Sequence, residues 1–300
     1  MFESLKYSFS GRALIIKLVH PSPKTWIKKD FHVHESHSSD APLATVEKYC
    51  GMAERRGIDE ICLTTHLILT GPDVQHGISQ KKIPEYLEEI QKTQSETGVK
   101  LHSGLEIDWF PEVERQIEAI VEEYPLDYAL GSLHYVRGID IGSKRHSPAF
   151  FLGKNIEEAL DIYFDEWRKA VESGLFDVMA HPDYFRKFLS LTHKTPVHWK
   201  SYGSMVYSAI DSLRSYNVGI EVNSSGWRHG IGDVYPILGF LRAAKGVGVD
   251  NVVVGSDCHR VEDLGVNTYK SAERLRDAGY DFLCIFENRR NRRVSLSEVI

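Results

Sequence analysis

From residue 30 onward the chain repeats one pattern: a short apolar, β-rich run, then a segment with helical periodicity. "DFHVH" leads into "TVEKYCGMAERRG", "DEICLTTH" into "IPEYLEEIQKTQSETG", and "VKLHSGLEID" into "PEVERQIEAIVEEY", where Pro111 suits a first helical turn. "DYALGSLH" precedes a longer insertion and "IEEALDIYFDEWRKAVESG". "FDVMAHPD", "VGIEVNSSG" and "NVVVGSDCH" are followed by "HWKSYGSMVYSAIDSLRSYN", "YPILGFLRAAKG" and "NTYKSAERLRDAG". Parallel neighbours need a crossover long enough to hold a helix, so seven such units predict a parallel α/β sheet. With seven strands, a closed or nearly closed (β/α)7 barrel is favoured over an open doubly wound sheet. No linker, low-complexity tract or short repeat divides residues 29–300, which read as one domain. Residues 1–28 read as an N-terminal appendage, with a hairpin as its candidate form.

Composition narrows the function classes. A net charge of −6 gives no global field toward nucleic acid or an anionic membrane. No run approaches the ~18 apolar residues that span a bilayer. The short patch "ALIIKLVH" carries Lys17 and lacks a small-residue cleavage site, so no signal peptide is expected. Cys50, Cys62, Cys258 and Cys284 show no CxxC pairing, which fits a reduced, cytoplasmic setting.

The ends of the apolar runs carry the chemistry. They are His32 and His34, His66, Glu106, His134, His181, and Asp257 with His259; Glu221 belongs to the series but sits within its strand. The carboxyl ends of parallel barrel strands share one face, so these groups converge although they are far apart in the chain. Each piece alone has a plainer reading. Asp40 in "SHSSD" suits a helix N-cap or Asx-turn, and His66 a satisfied core histidine. Yet six of the fourteen histidines lie at strand ends in register with carboxylates, and an internal Glu106 needs a partner that a metal supplies. His32/His34 and Asp257/His259 repeat a same-face spacing, with Cys258 facing away. Asp183 in "AHPD" suits a carboxylate that orients a ligand histidine. His37, His76, His102, His146, His193 and His198 lack this positional logic. A His/Asp/Glu set without thiolate suits Zn²⁺, Mn²⁺ or Fe²⁺.

At "HVHESHSSD", "TTH", "GLEID", "GSLH", "AHPD" and "GSDCH", in that order, the chain resembles the polymerase-and-histidinol-phosphatase (PHP) family of metal-dependent phosphoesterases, from about Asp30 to the C-terminus. "GLEIDWFPEVERQIEAIVEEYPLDYALGSLHYV", "HPDYFRKF" and "EVNSSGWRHG" point to its histidinol-phosphate phosphatase branch. The resemblance implies a distorted seven-stranded barrel holding two to three divalent ions (Zn, Mn or Fe). By it, His32, His34 and Asp257 hold one ion, Glu106 bridges to a second with His134 and His181, and Asp40, His66 and His259 hold a third. Glu35 and His37 depart from the commoner pattern and bear on substrate preference. The implied reaction is phosphomonoester hydrolysis, with a metal-bridging hydroxide attacking phosphorus. Glu106, Asp257 and His229 are the expected catalytic groups, His229 contacting phosphate or protonating the leaving alkoxide. Arg186 and Arg228 are the expected phosphate-binding arginines. Histidinol phosphate carries an amine and an imidazole, and acidic neighbours such as Asp108 or Glu35 could meet the amine. The expected partner is a small phosphorylated metabolite rather than nucleic acid, since only "RGIDIGSKRH" is locally basic. The rivals are a PHP-type phosphoesterase of nucleotides, sugar phosphates or oligonucleotides, and a non-catalytic metal-binding module, which the filled ligand set disfavours. Amide or lactone hydrolysis lacks its bridging lysine.

Overall fold

Seven strands pair in the order in which the chain makes them, which is what successive crossover helices enforce. The computed structural model describes residues 26–193 and 197–300. Strands β1 (Lys29–Val33), β2 (Glu60–Leu67), β3 (Lys100–Asp108) and β4 (Tyr128–Ser132) are followed by a small hairpin, β5 (Tyr135–Val136) and β6 (Ile139–Asp140). Strands β7 (Val178–Met179), β8 (Gly219–Asn223) and β9 (Val252–Gly255) complete a parallel sheet ordered β1-β2-β3-β4-β7-β8-β9. The sheet curls until its edges meet: Val33 bridges Cys258 in parallel, Asp257 N–H donates to His32 O (2.8 Å) and His34 N–H to Cys258 O (2.9 Å). The buried Asp30 carboxylate accepts Ser256 N–H and Gly265 N–H, both at 2.8 Å, across the same seam. The result is a nearly closed barrel, as the repeat predicts.

Helices α1 (Val46–Arg56), α2 (Ile83–Gln94), α3 (Glu114–Glu123), α4 (Ser147–Phe151), α5 (Ile156–Glu172), α6 (Arg186–Leu189), α7 (Trp199–Ser215), α8 (Leu238–Val247) and α9 (Thr268–Ala278) surround it. Local signals set their ends. Thr45 caps α1, which stops at Gly57 in the left-handed region (φ 67°), and Asn155 with Glu158 forms a capping box at α5. β1, β4, β8 and β9 are buried along their whole length, because helices cover one face and the barrel interior the other.

Two features depart from the sequence reading. Ile27 is buried and Lys28 N–H donates to Val299 O, so the packed domain already includes Trp26, Ile27 and Lys28; the appendage expected over residues 1–28 otherwise lies outside the described residues. A C-terminal hairpin, β10 (Phe282–Glu287) and β11 (Arg290–Ser295), followed by α10 (Leu296–Val299), packs against the barrel where the strands begin. Phe286 meets Tyr128 there, and Arg292 reaches Glu60. No described helix is long and apolar enough to cross a membrane.

Candidate metal centre

The β2–β3 register sets His66 directly beside Glu106. Glu106 Oε2 lies 2.9 Å from His66 Nδ1 and 3.4 Å from the Nε2 atoms of His32 and His34. Its other oxygen, Oε1, lies 3.0 Å from His181 Nε2 and 3.6 Å from His134 Nε2. Asp257 Oδ1 adds a carboxylate 3.4 Å from His34 Nε2 and 3.7 Å from His32 Nε2. Asp40 Oδ2 approaches His259 Nε2 (3.1 Å) and His66 Nε2 (3.6 Å), and the last two nitrogens are 3.5 Å apart. The fold thus brings all nine expected ligands to the strand ends. Three overlapping sets fall within mutual coordinating reach: His32, His34 and Asp257; His66, Glu106 and His134; and His34, His66 and His259.

Outer partners fix the rings. Fully buried Glu221 accepts from His32 Nδ1 (2.7 Å), the His181 backbone N–H (2.9 Å) and Asn223 Nδ2 (3.0 Å). Asp108 Oδ1 lies 2.9 Å from His134 Nδ1. Each bond turns the opposite ring nitrogen inward. A Cβ at Gly255 would collide with Glu221 Oε1 and His32 Cβ, so glycine there lets the carboxylate reach the ring. His181 (φ 27°) and Asp257 (φ 55°) hold left-handed backbone that β-carbon residues seldom adopt, a strain common at functional sites.

The electrostatics fit a cationic centre. Burial works against charge on Glu106 and Asp257, yet the surrounding histidines, His32 foremost, hold both carboxyls well below their usual range. Burial also opposes charge on His66, but Glu106 and Asp40 push it up to about 10; His34, buried against His259 and His66, is driven well below its ordinary value. His66 Nδ1 and Glu106 Oε2 are sealed from solvent and lie close together without a hydrogen bond. Lone pairs converging in this way suit divalent ions. Cys258 Sγ faces Tyr49 instead (3.6 Å).

The PHP domain family model matches residues 30–225. The chain belongs to the PHP family. A probable histidinol-phosphatase of Deinococcus radiodurans is 29% identical over 258 residues, covering 83% of this chain and 93% of that protein. A histidinol-phosphatase of Lactococcus lactis is 23% identical over 262 residues, covering 86% and 94%. The crystal structure of histidinol phosphate phosphatase from Lactococcus lactis, complexed with Zn, L-histidinol and phosphate, superposes with a TM-score of 0.76. It is 22% identical and covers 88% of this chain and 98% of that one. The likeness establishes the fold as that of a PHP barrel.

Above the converging strand-end side chains opens a cleft of about 460 Å³, lined among others by Lys187, Arg228, His229 and Arg260 and by Asp73 and Asp140. Arg228 and His229, two of the residues singled out from the sequence, both line this cleft. Arg228 Nη2 holds the carbonyls of Ser256 (2.7 Å) and Asp257 (2.6 Å), while its buried Nη1 has no partner among the described residues. Burial and then Lys187 depress His229 to about 3, so its ring is neutral near pH 7. Arg186 differs from expectation. It bonds Asp183 Oδ2 (2.9 Å) and Val234 O (3.0 Å) beneath the cleft and does not line it. Its half-buried neighbour Lys187 lines the cleft instead, with Nζ 2.6 Å from Tyr184 Oη. Asp183 accordingly braces Arg186 and Ile237 N–H (2.9 Å) rather than a ligand histidine. Glu35 is buried, turns away from the cleft and contacts His37. Sequence reasoning missed Lys187, whose only signal was its place after "HPD", and the orienting role of Glu221, although the strand-end series had singled that residue out.

Proposed function

We propose that this chain is a metal-dependent histidinol-phosphate phosphatase, hydrolysing L-histidinol phosphate to L-histidinol and phosphate in histidine biosynthesis. The observation that carries this reading is the convergence of nine His, Asp and Glu side chains below a cleft with two chemically distinct rims. Two to three divalent ions held by His32, His34, Asp40, His66, Glu106, His134, His181, Asp257 and His259 would supply Lewis acidity and lower the pKa of water to about 7. Zn²⁺ is favoured by analogy with the Lactococcus structure, with Mn²⁺ and Fe²⁺ as chemical equivalents.

The protein's own groups do the rest. Lys187, on α6, and Arg228 and His229, on the loop after β8, present donors to a phosphate dianion. Tyr235 Oη lies 3.2 Å from His229 Nδ1, which fits a neutral ring carrying its proton on Nε2; His229 then acts as a hydrogen-bond donor and not as an acid. Asp73, on the loop after β2, and Asp140, at the end of β6, face the same cleft with only histidines as ion-pair partners among the described residues. They suit a cationic leaving group and disfavour a polyanion such as nucleic acid. Four free cysteines and the biosynthetic role agree with a cytoplasmic enzyme.

The test is phosphate release from a panel of small phosphomonoesters by protein reconstituted with Zn²⁺, Mn²⁺ or Fe²⁺. We expect kcat/KM for L-histidinol phosphate at least ~100-fold above other compounds, within the roughly 10⁴–10⁸ M⁻¹s⁻¹ typical of enzymes on their own substrates. Equal slow turnover of every ester would discard histidinol phosphate and leave a phosphoesterase of another substrate.

A further inference from the structure

A second group of ligating side chains lies off the cleft. Past β1, successive side chains alternate, so His32 and His34 face the metal centre while Glu35 is directed the other way, toward α2. There Glu35, His37 and Glu89 offer ligand atoms that all lie within 4.8 Å of one another. His37 Nδ1 is 2.9 Å from Glu35 Oε2 and 3.8 Å from Glu89 Oε2, and its ring meets Tyr86 edge-on at 5.5 Å.

Glu35 carries the argument. It is fully buried, and its Oε2 accepts the His37 backbone N–H (3.0 Å) and the Ser36 hydroxyl (3.3 Å). Oε1, on the same carboxylate, is sealed from solvent and has no hydrogen-bond partner among the described residues. A buried carboxylate oxygen left without a donor is costly, and one imidazole can offset only one of the two negative charges here. A divalent cation answers both deficits. Glu89, a third exposed at its side chain, leaves a path for the ion and for the water completing its coordination.

We propose that Glu35, His37 and Glu89 bind a further divalent cation, of the Zn²⁺ or Mn²⁺ class, at a structural site separate from the strand-end centre. Two carboxylates and an imidazole without thiolate suit that class. The ion ties the loop leading to Asp40 to helix α2. The same loop already docks on β2, where Ser38 Oγ lies 2.6 Å from Thr65 Oγ1 and accepts His66 N–H (3.0 Å). The site stands independently of the phosphatase reading.

The experiment strips the full chain with chelator, dialyses it to equilibrium against Mn²⁺ or Zn²⁺, and measures metal per chain. Wild type should hold one ion more than Glu89→Ala or His37→Ala. Glu89→Ala should keep kcat/KM within about twofold, as expected for an independent site. Glu89→Gln reads the same loss while preserving side-chain shape should the alanine variant unfold. In an Asp257→Asn background, which weakens the main centre, adding Glu89→Ala should again remove one ion. Equal metal content in wild type and Glu89→Ala overturns the proposal, as does loss of several ions together with activity.

Discussion

Glu221 never reaches the reacting atoms, yet it holds His32 and His181 in place through one carboxylate. In Glu221→Gln the amide can keep an oxygen toward His32 or toward the His181 N–H, but its NH₂ must then face a donor. We expect metal affinity or kcat/KM to fall roughly 10–100-fold, the usual cost of losing such a partner, with the far-UV spectrum unchanged; metal titration and steady-state kinetics check it, and wild-type values would deny Glu221 this role. The adjacent basic pair separates grip from support. Lys187→Ala should lower kcat/KM about 10–100-fold, the worth of a hydrogen bond to a charged group, chiefly through KM and with stability intact. Arg186→Ala should instead leave buried Asp183 unpaired and cost about 3–5 kcal/mol of stability in a denaturant titration. If Arg186→Ala raised KM at full stability, the placement of the two roles would be reversed.

At the scale of elements, the barrel strands were legible because every one but β8 runs into an expected ligand at or just past its end, as well as carrying a hydrophobic run. Period-two spacing put His32 with His34, and strand-end position put Glu106 among the histidines. What the sequence hid was side-chain destination one residue either way. Nothing in "YFRKF" says that Arg186 turns down to Asp183 while Lys187 turns up, because a four-residue helix has no periodicity to read. The hairpin β10–β11 was also missed: the exposed arginines of "RNRRVS" look like solvated surface until Arg292 is seen against Glu60. That network closes the barrel at the end away from the centre. Glu60 accepts Lys29 Nζ (2.9 Å), His102 Nε2 (3.1 Å) and Arg292 Nη2 (2.7 Å). Burial alone would raise its carboxyl, but His102 and Lys29 bring it down to about 2 from an ordinary 4.5. A depressed carboxylate contributes stability above its unfolded value and loses it as pH falls through the folded one. Stability should therefore drop between about pH 4.5 and 2, by on the order of 1–2 kcal/mol after solvent screening. Glu60→Gln should flatten that stretch of the curve relative to wild type, both measured metal-free so that acid release of ions does not intrude and the centre's own carboxylates cancel in the difference. An unchanged slope would remove Glu60 from the account.

For the whole molecule, the seam between β1 and β9 joins closure of the barrel to occupancy of the centre. Outside the Asp30 bonds, the seam rests on the Val33–Cys258 bridge and its two backbone hydrogen bonds, whereas β2 and β3 pair along eight residues. His32 and His34 stand on one side of it, Asp257 and His259 on the other, so an ion shared between them would clasp the two edges. Ligand binding to the folded state alone adds RT ln(1 + [L]/Kd), about 4 kcal/mol per site at a thousandfold excess over Kd. For a chain of this size chelation should then lower the melting temperature by roughly 5–15 °C. The loss should also be local. Amide exchange should quicken at His34, Ser256 and Asp257, whose N–H groups cross the seam, while Leu63 to Leu67 on β2 keep their protection. Uniform loosening of every strand would mean that the ions act on the core at large, and unchanged exchange at the seam would mean that the barrel closes without them.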